Sequence, residues 1–136
     1  MRYLGIDYGI RRVGLAICDA NETISSPLCI LENDTHLIDG IAAVLEKESV
    51  EGVVVGLPVN MDDSMGPQAK LTLEFVRRLK KKFEVPIYLQ DERLSSFAAQ
   101  QKLSLPETRK KKKKKHIDAV AAAEILEVFL EHKNQG

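Results

Sequence analysis

The sequence predicts an α/β domain: a mixed five-stranded sheet, three antiparallel strands followed by parallel ones, with helices on both faces. Three observations carry this. Residues 3–31 hold short runs of alternating apolar and polar residues broken by turns, the pattern of an antiparallel meander. From about residue 34 the apolar spacing becomes helical, and helices then alternate with short strands. One of those strands, Val53-Val54-Val55, is β-branched without alternation, as expected of a strand covered on both faces and paired in parallel.

The elements follow in order. Leu4 and Ile6 alternate with Tyr3, Gly5 and Asp7 in a first strand, and Val13, Leu15 and Ile17 with Gly14, Ala16 and Cys18 in a second. The turn between them is Gly9-Ile10-Arg11-Arg12. A turn at residues 19–22 leads to a third strand closing at Leu28–Leu31. Asp34 or Thr35 is placed to cap a helix whose inner stripe is Leu37, Ile38, Ile41 and Leu45. The Val53–Val55 strand ends at Gly56-Leu57-Pro58. A polar loop, Asn60 to Pro67, precedes a helix at about 68–82 with Leu71, Phe75, Val76 and Leu79 inward. Ile87-Tyr88-Leu89 is the fifth strand, ending in Gln90-Asp91-Glu92-Arg93. A short helix is expected from Ser95 or Ser96, then a Lys-rich connector over 104–115. A last helix is expected over about 116–132, with Ile117, Val120, Ala121, Ile125, Val128 and Phe129 inward. The order is βββαβαβαα, without internal repeat or domain boundary, so one domain is expected over residues 1–136.

Composition narrows the function. With 136 residues, 44% of them hydrophobic and 29% charged, the chain is globular and can bury a core without disulfides or structural metal. No apolar run approaches the ~20 residues that span a bilayer, and Gly5, Asp7 and Gly9 interrupt the first apolar stretch, unlike a signal peptide. A cytoplasmic protein with no membrane partner is expected. Cys18 and Cys29 fit no zinc spacing and are expected to be reduced core thiols. The net charge is zero, but it is segregated. Residues 77–82 hold five positive charges and residues 109–115 hold seven, leaving eight basic residues against twenty acids elsewhere. Neutrality therefore does not exclude an anionic polymer as partner.

Three acids stand out. Asp7 ends an apolar strand between two glycines, where the backbone is open to close approach. Asp91-Glu92 ends the fifth strand, beyond whose carboxyl end open α/β sheets place ligands. Asp118 falls in the first turn of the last helix. Taken singly, each reads as well as a turn former, a capping acid or a helix-dipole acid. Together, a first strand, a parallel strand and a C-terminal helix can bring carboxylates to one sheet edge. Such a cluster needs cations, because like charges a few ångströms apart cannot all ionise. Hard oxygen ligands favour Mg²⁺ or Mn²⁺, and two such ions ~4 Å apart suit phosphodiester hydrolysis.

The ordered set of motifs resembles the YqgF/RuvX family of RuvC-like, RNase H-like pre-16S rRNA nucleases, also called Holliday junction resolvases. The set is Gly5-Ile6-Asp7-Tyr8-Gly9 with Arg12-Val13-Gly14; Val54-Val55-Gly56-Leu57-Pro58 with Asn60-Met61-Asp62; Asp91-Glu92-Arg93-Leu94-Ser95-Ser96; and Ile117-Asp118 with Ala121-Ala122. The resemblance covers nearly the whole chain. It implies an RNase H-like fold and places the family's three catalytic, metal-holding acids on Asp7, Glu92 and Asp118, with Asp91 the second choice to Glu92. It also implies 5′-end processing of pre-16S rRNA, with a four-way DNA junction as the alternative substrate. The partners implied are pre-16S rRNA or branched DNA and the ribosomal small subunit, for a monomer or, in the junction reading, a homodimer.

The sequence departs from the family in three places. Asp63 replaces the glycine of the usual Asn-Met-Asp-Gly loop, which matters if that position needs a positive φ. Ser95-Ser96 replace two threonines, and the Lys run is longer and purer.

Arg11, Arg12 and Arg93 are candidate phosphate contacts, balanced against solvated charge or, for Arg93, an ion pair with Asp91. Arg109, Lys110, Lys111, Lys112, Lys113, Lys114 and Lys115 are expected to form a mobile loop that contacts nucleic acid beside the Asp118 helix. His116 is expected to face solvent; His36 and His132 have no partner legible in the sequence. With aromatics at 5% of the chain, a base-stacking platform like those of many single-strand binders is not expected, and recognition should lean on backbone and shape. Two readings from other classes compete: a non-catalytic rRNA-binding assembly factor that keeps the acids for its fold, and a sugar-kinase or actin-like ATPase. The second is excluded by length, because it needs two lobes.

Overall fold

Alternating apolar residues in β1 (Tyr3–Tyr8) and β2 (Arg12–Cys18) send Leu4, Ile6, Val13, Leu15 and Ile17 to one side of the sheet. Tyr3, Gly5, Ala16 and Cys18 go to the other. A computed structural model describes residues 1–92 and 107–135, with the side chains of 1–92 and 119–134. The remaining elements are β3 (Ser25–Glu32), α1 (Leu37–Lys47), β4 (Gly52–Leu57), α2 (Pro67–Lys82), β5 (Ile87–Asp91) and α3 (Glu107–Gln135). The sheet order is β3-β2-β1-β4-β5, with β1/β2 and β2/β3 antiparallel and β1/β4 and β4/β5 parallel. This is the mixed five-stranded sheet the sequence predicts. Every residue of β4 is buried, as its unbroken apolar run requires.

The main core lies between the sheet and α1 and α2, where Leu37, Ile41, Phe75, Val76 and Leu79 meet Leu4, Ile6, Val53 and Val55. On the other face α3 covers the sheet with Ala122, Ala123, Ile125, Leu126 and Leu130. A Cβ at Gly5 would stand 2.8 Å from the Ala122 carbonyl oxygen and 2.9 Å from Leu126 Cβ, so the glycine sets how closely α3 rides. Cys18 and Cys29 are free thiols, the first buried.

Several elements differ from expectation. The helix of the C-terminal segment begins at Glu107, not 116, so Arg109 and Lys110–Lys115 belong to α3 rather than to a connecting loop. Lys and Arg are good helix formers, and a helix already packed by its C-terminal half extends without a new nucleation cost. The short helix expected at Ser95 or Ser96, and Arg93, lie outside the described residues. On α2 the inner face takes Thr72 rather than Leu71, which is 49% exposed. The Thr72 hydroxyl donates to the Gln68 carbonyl at 2.9 Å, so its burial leaves no polar atom unmet. On α3 the small residues Ala119, Ala122 and Ala123 are buried, whereas Val120 and Ala121 are half-exposed. The cap of α1 is His36, with Asp34 Oδ1 accepting from the His36 amide at 2.9 Å.

Asp63 has φ 69°, so the position where the family carries glycine does require the left-handed region here. Its amide donates to the Asn60 carbonyl at 2.9 Å, closing the loop that follows β4. Replacing Asp63 by Val is expected to cost about 1–2 kcal/mol in denaturant unfolding, because a β-branched residue is strained at this φ, whereas Asp63→Asn stays within about 0.5 kcal/mol.

Candidate active site

Asp7 is the penultimate residue of β1 and pairs with Gly14 of β2. The parallel β1/β4 register runs to Ile6–Val55, so Asp7 comes level with Gly56, and Gly56 in turn pairs with Gln90 of β5. Glu92 follows two residues later, just past the end of β5. The sheet order thus puts β4 between the two acids, with a glycine at the point where they converge. That glycine is necessary. A Cβ on Gly56 would meet Glu92 Oε1 at 2.6 Å, Glu92 Cγ at 2.9 Å and Ile125 Cδ1 at 2.5 Å.

The Glu92 side chain lies across this gap and reaches Asp7. Its pKa is pushed up to about 8, first by burial, then by the Asp7 charge, by a hydrogen bond between the two carboxyls and by the charge of Asp91. At neutral pH and without a cation, Glu92 therefore keeps its proton and shares it with Asp7. The Asp91 charge adds a further, smaller upward push on Glu92.

Asp118 lies in the helical part of α3, and its side chain is outside the described residues. The backbone register is informative. α3 runs antiparallel to β1, since Phe129 meets Tyr3 (ring centroids 5.2 Å apart) while Ala122 meets Gly5. Position 118 is one helical turn before Ala122, about 6 Å along the axis. Asp7 is two residues beyond Gly5, about 7 Å along the strand. The helix therefore carries position 118 toward the Asp7 end of β1. No cluster of three metal-ligating groups occurs among the described residues, a search that does not reach Asp118.

Three supports around Asp7 carry no sequence signal of their own. Gln68, in the first turn of α2, donates through Nε2 to the Tyr8 carbonyl at 2.9 Å. Asn33 donates through Nδ2 to the Gly9 carbonyl at 2.8 Å, and its amide donates to the Arg11 carbonyl at 2.9 Å. Tyr8 stacks on Phe75 with ring centroids 4.2 Å apart. These contacts hold both the strand end and the turn that carries Arg11 and Arg12. Arg11 is exposed and Arg12 half-buried at this tip.

The site can accept a hard cation. Its groups are carboxyl oxygens, Gly56 gives the Glu92 side chain room to reach Asp7, and ionising Glu92 beside Asp7 at neutral pH is unfavourable without a positive charge nearby. Replacing Gly56 by Ala is expected to displace Glu92 and Ile125, cost about 1–3 kcal/mol of stability, and lower catalytic activity by more than the folded fraction accounts for; melting and turnover measured together test this.

Comparison with known proteins gives the family and the fold. A family model described as "RuvX: Holliday junction resolvase" matches residues 1–132. A protein of Halothermothrix orenii named "Putative pre-16S rRNA nuclease" is 39% identical over 140 residues, covering 99% of this chain and 98% of its own length. A protein of the same name from Geobacillus kaustophilus is 36% identical over 137 residues, covering 98% and 99%. Among solved structures, Thermus thermophilus RuvC in complex with Holliday junction substrate aligns with a TM-score of 0.58 at 16% identity, over 100% of this chain and 98% of that one. The fowlpox virus Holliday junction resolvase aligns with a TM-score of 0.53 at 15% identity, over 97% and 99%. These two likenesses establish the RuvC-like, RNase H-like fold. With a family model spanning almost its whole length and end-to-end relatives well above 30% identity, the chain belongs to the RuvX family of nucleases.

Proposed function

We propose that this chain is a metal-dependent endonuclease acting in 5′-end processing of pre-16S rRNA. The observation that carries the metal dependence is the Asp7–Glu92 pair, two hydrogen-bonded carboxyls beside Gly56 of which Glu92 has its pKa pushed up to about 8. A proton shared in this way occupies the place of a cation, and a divalent ion that displaces it relieves the repulsion. Asp7, Glu92 and Asp118 would hold Mg²⁺ or Mn²⁺. Such an ion, when bound, supplies Lewis-acid stabilisation of the charge that develops as a phosphodiester is cleaved.

The chain's own residues supply the rest. Asp7 and Glu92 give up the shared proton and present oxygens from two rigid strand ends. Gly56, having no Cβ, leaves the room that the Glu92 side chain needs to reach Asp7. Arg11 and Arg12 stand one turn from Asp7, where they can hold phosphates flanking the reacting one. Arg93, Arg109 and Lys110–Lys115 supply charge along the rest of the polymer. Assignment to pre-16S rRNA rests on the names of the end-to-end relatives.

The second reading is a Holliday junction resolvase, favoured by the description of the matching family. It requires a homodimer, because two symmetric nicks need two centres. One gel separates the readings: wild type with Mg²⁺ or Mn²⁺ against a 5′-extended pre-16S rRNA fragment and against a four-way DNA junction. Cleavage of the RNA alone is expected. Paired symmetric nicks in the junction alone would transfer the assignment to the resolvase. Cleavage of neither, with RNA binding retained, would favour a non-catalytic assembly factor.

A further inference from the structure

The chain has seven Tyr and Phe residues, and three of them gather at one place. Tyr88 of β5 packs 5.3 Å from Phe129 of α3, Phe129 packs 5.2 Å from Tyr3, and Tyr3 lies 6.2 Å from Tyr88, all between ring centroids. They line an open groove of about 430 Å³ between β5, the outermost strand among the described residues, and the C-terminal half of α3, together with Gln90, His132 and Lys133. Tyr3 is fully buried and forms the back wall, while Tyr88 is 39% exposed and offers a ring face or edge to the groove.

The polar groups here are placed for a ligand rather than for the fold. Gln90 is only 8% exposed and lines the groove. A primary amide on a groove wall carries both a donor and an acceptor that an incoming ligand can engage. Lys133 Nζ stands 5.8 Å from the centre of the Tyr3 ring and 2.9 Å from Glu22 Oε1. Glu22 also meets the Met1 ammonium at 3.2 Å, so two cations share that one carboxylate. Aromatic faces, one amide with both a donor and an acceptor, and the Lys133 ammonium at the edge match a nucleobase with its phosphate.

The location connects this groove to the candidate active site. Tyr88, Gln90 and Glu92 follow one another at two-residue intervals on the face of β5 that meets α3, as the contacts of Tyr88 with Phe129 and of Glu92 with Ile125's neighbour Gly56 require. Tyr88 is about 13 Å from Glu92 along the strand, at most about four stacked nucleotide steps of ~3.4 Å.

We infer that this groove binds one base of a single-stranded RNA segment flanking the cleaved phosphodiester, with the base stacked on Tyr88 and Phe129, its edge read by the Gln90 amide and its phosphate held by Lys133. The inference rests on the nuclease reading for the identity of the polymer. It makes the groove the register that sets how far from an unpaired base the cut falls.

The test is fluorescence anisotropy with a labelled single-stranded RNA octamer in chelator, so that binding is read without cleavage. Tyr88→Ala is expected to weaken binding roughly 5- to 100-fold, with the slope of affinity against salt unchanged. Tyr88→Phe keeps the stacking face and is expected to bind within about twofold of wild type. Lys133→Gln is expected to reduce the salt slope by about 0.7, one phosphate contact. Thermal melts verify that each variant is folded. Unchanged binding by folded Tyr88→Ala, or equal losses for Ala and Phe, would overturn the inference. So would a wild-type dimer in sedimentation that Tyr88→Ala dissociates, which would give the groove to a second copy. Failure of the nuclease reading shows separately, as wild type that binds the octamer but cleaves nothing with Mn²⁺.

Discussion

Replacing Asp7 by Asn is expected to lower phosphodiester cleavage by roughly 10²–10⁴-fold, and to raise the melting temperature of the metal-free protein at pH 8. The two effects have one cause. Glu92 in the folded chain titrates near pH 8, against an ordinary carboxylate value of 4.5 in the unfolded chain. A group whose folded pKa is raised contributes stability that is fully present below about pH 4.5 and lost as pH rises through about 8. Metal-free wild type should therefore lose stability steadily across that interval. Burial of Glu92 is the larger part of this loss, and the Asp7 charge is the next. Asn at position 7 removes that charge, so the variant should lose less, by on the order of 1 kcal/mol or a few degrees of melting temperature at pH 8 and by almost nothing at pH 4. A site that costs stability and supplies activity is the usual trade. Saturating Mn²⁺ should reverse the order, stabilising wild type more than Asp7→Asn, because it displaces the shared proton only where both carboxyls are present. Melting curves at pH 4, 6 and 8, with and without Mn²⁺, test the whole pattern. A wild-type protein whose stability is flat over this range would contradict it.

The second large effect concerns salt. Changing Lys110–Lys115 together to Gln should flatten the dependence of RNA affinity on salt by several units of slope, since each lost phosphate contact removes about 0.7 on a single strand or about 0.9 on a duplex. At 50 mM salt the affinity should fall by orders of magnitude; well above physiological salt the two proteins should approach each other. Helix formation over this run does not weaken the expectation, because the term depends on the number of phosphates neutralised. An unchanged slope, measured by anisotropy from 50 to 300 mM salt, would move the phosphate contacts to Arg11, Arg12 and the basic end of α2.

Much of this molecule could be read before any coordinate. The strands announce themselves because their burial follows period-2 alternation in β1 and β2 and unbroken Val in β4. Asp7 and Glu92 were legible because a first strand and a later parallel strand can bring their carboxyl ends, and so both acids, to one sheet edge. Their shared proton was not, since it depends on Gly56 leaving the space between them and on Ile125 roofing it. The inner face of α3 was misjudged for a related reason. The sheet presents Gly5 and Ala16 to it, so small residues fit closest and Val120 is displaced from the interface, a complementarity that only pairing the two surfaces reveals. Thr72 took a core place that periodicity gave to Leu71, because a hydroxyl bonded to the preceding turn behaves as an apolar group. The aromatic groove was hidden by averaging. Tyr3, Tyr88 and Phe129 are dispersed in sequence, and a low aromatic fraction says nothing about where the few aromatics meet.

The central claim is that Asp7 and Glu92 form the acidic heart of a cation-dependent nuclease. It is tested most directly by incubating wild type, Asp7→Asn and Glu92→Gln with a 5′-extended pre-16S rRNA fragment, with Mn²⁺ and with chelator, and resolving the products at nucleotide resolution. The account predicts discrete cleavage by wild type only with Mn²⁺, and loss of that cleavage in both variants while their melting temperatures hold or rise. Cleavage that persists in folded Asp7→Asn, or in chelator, would contradict it.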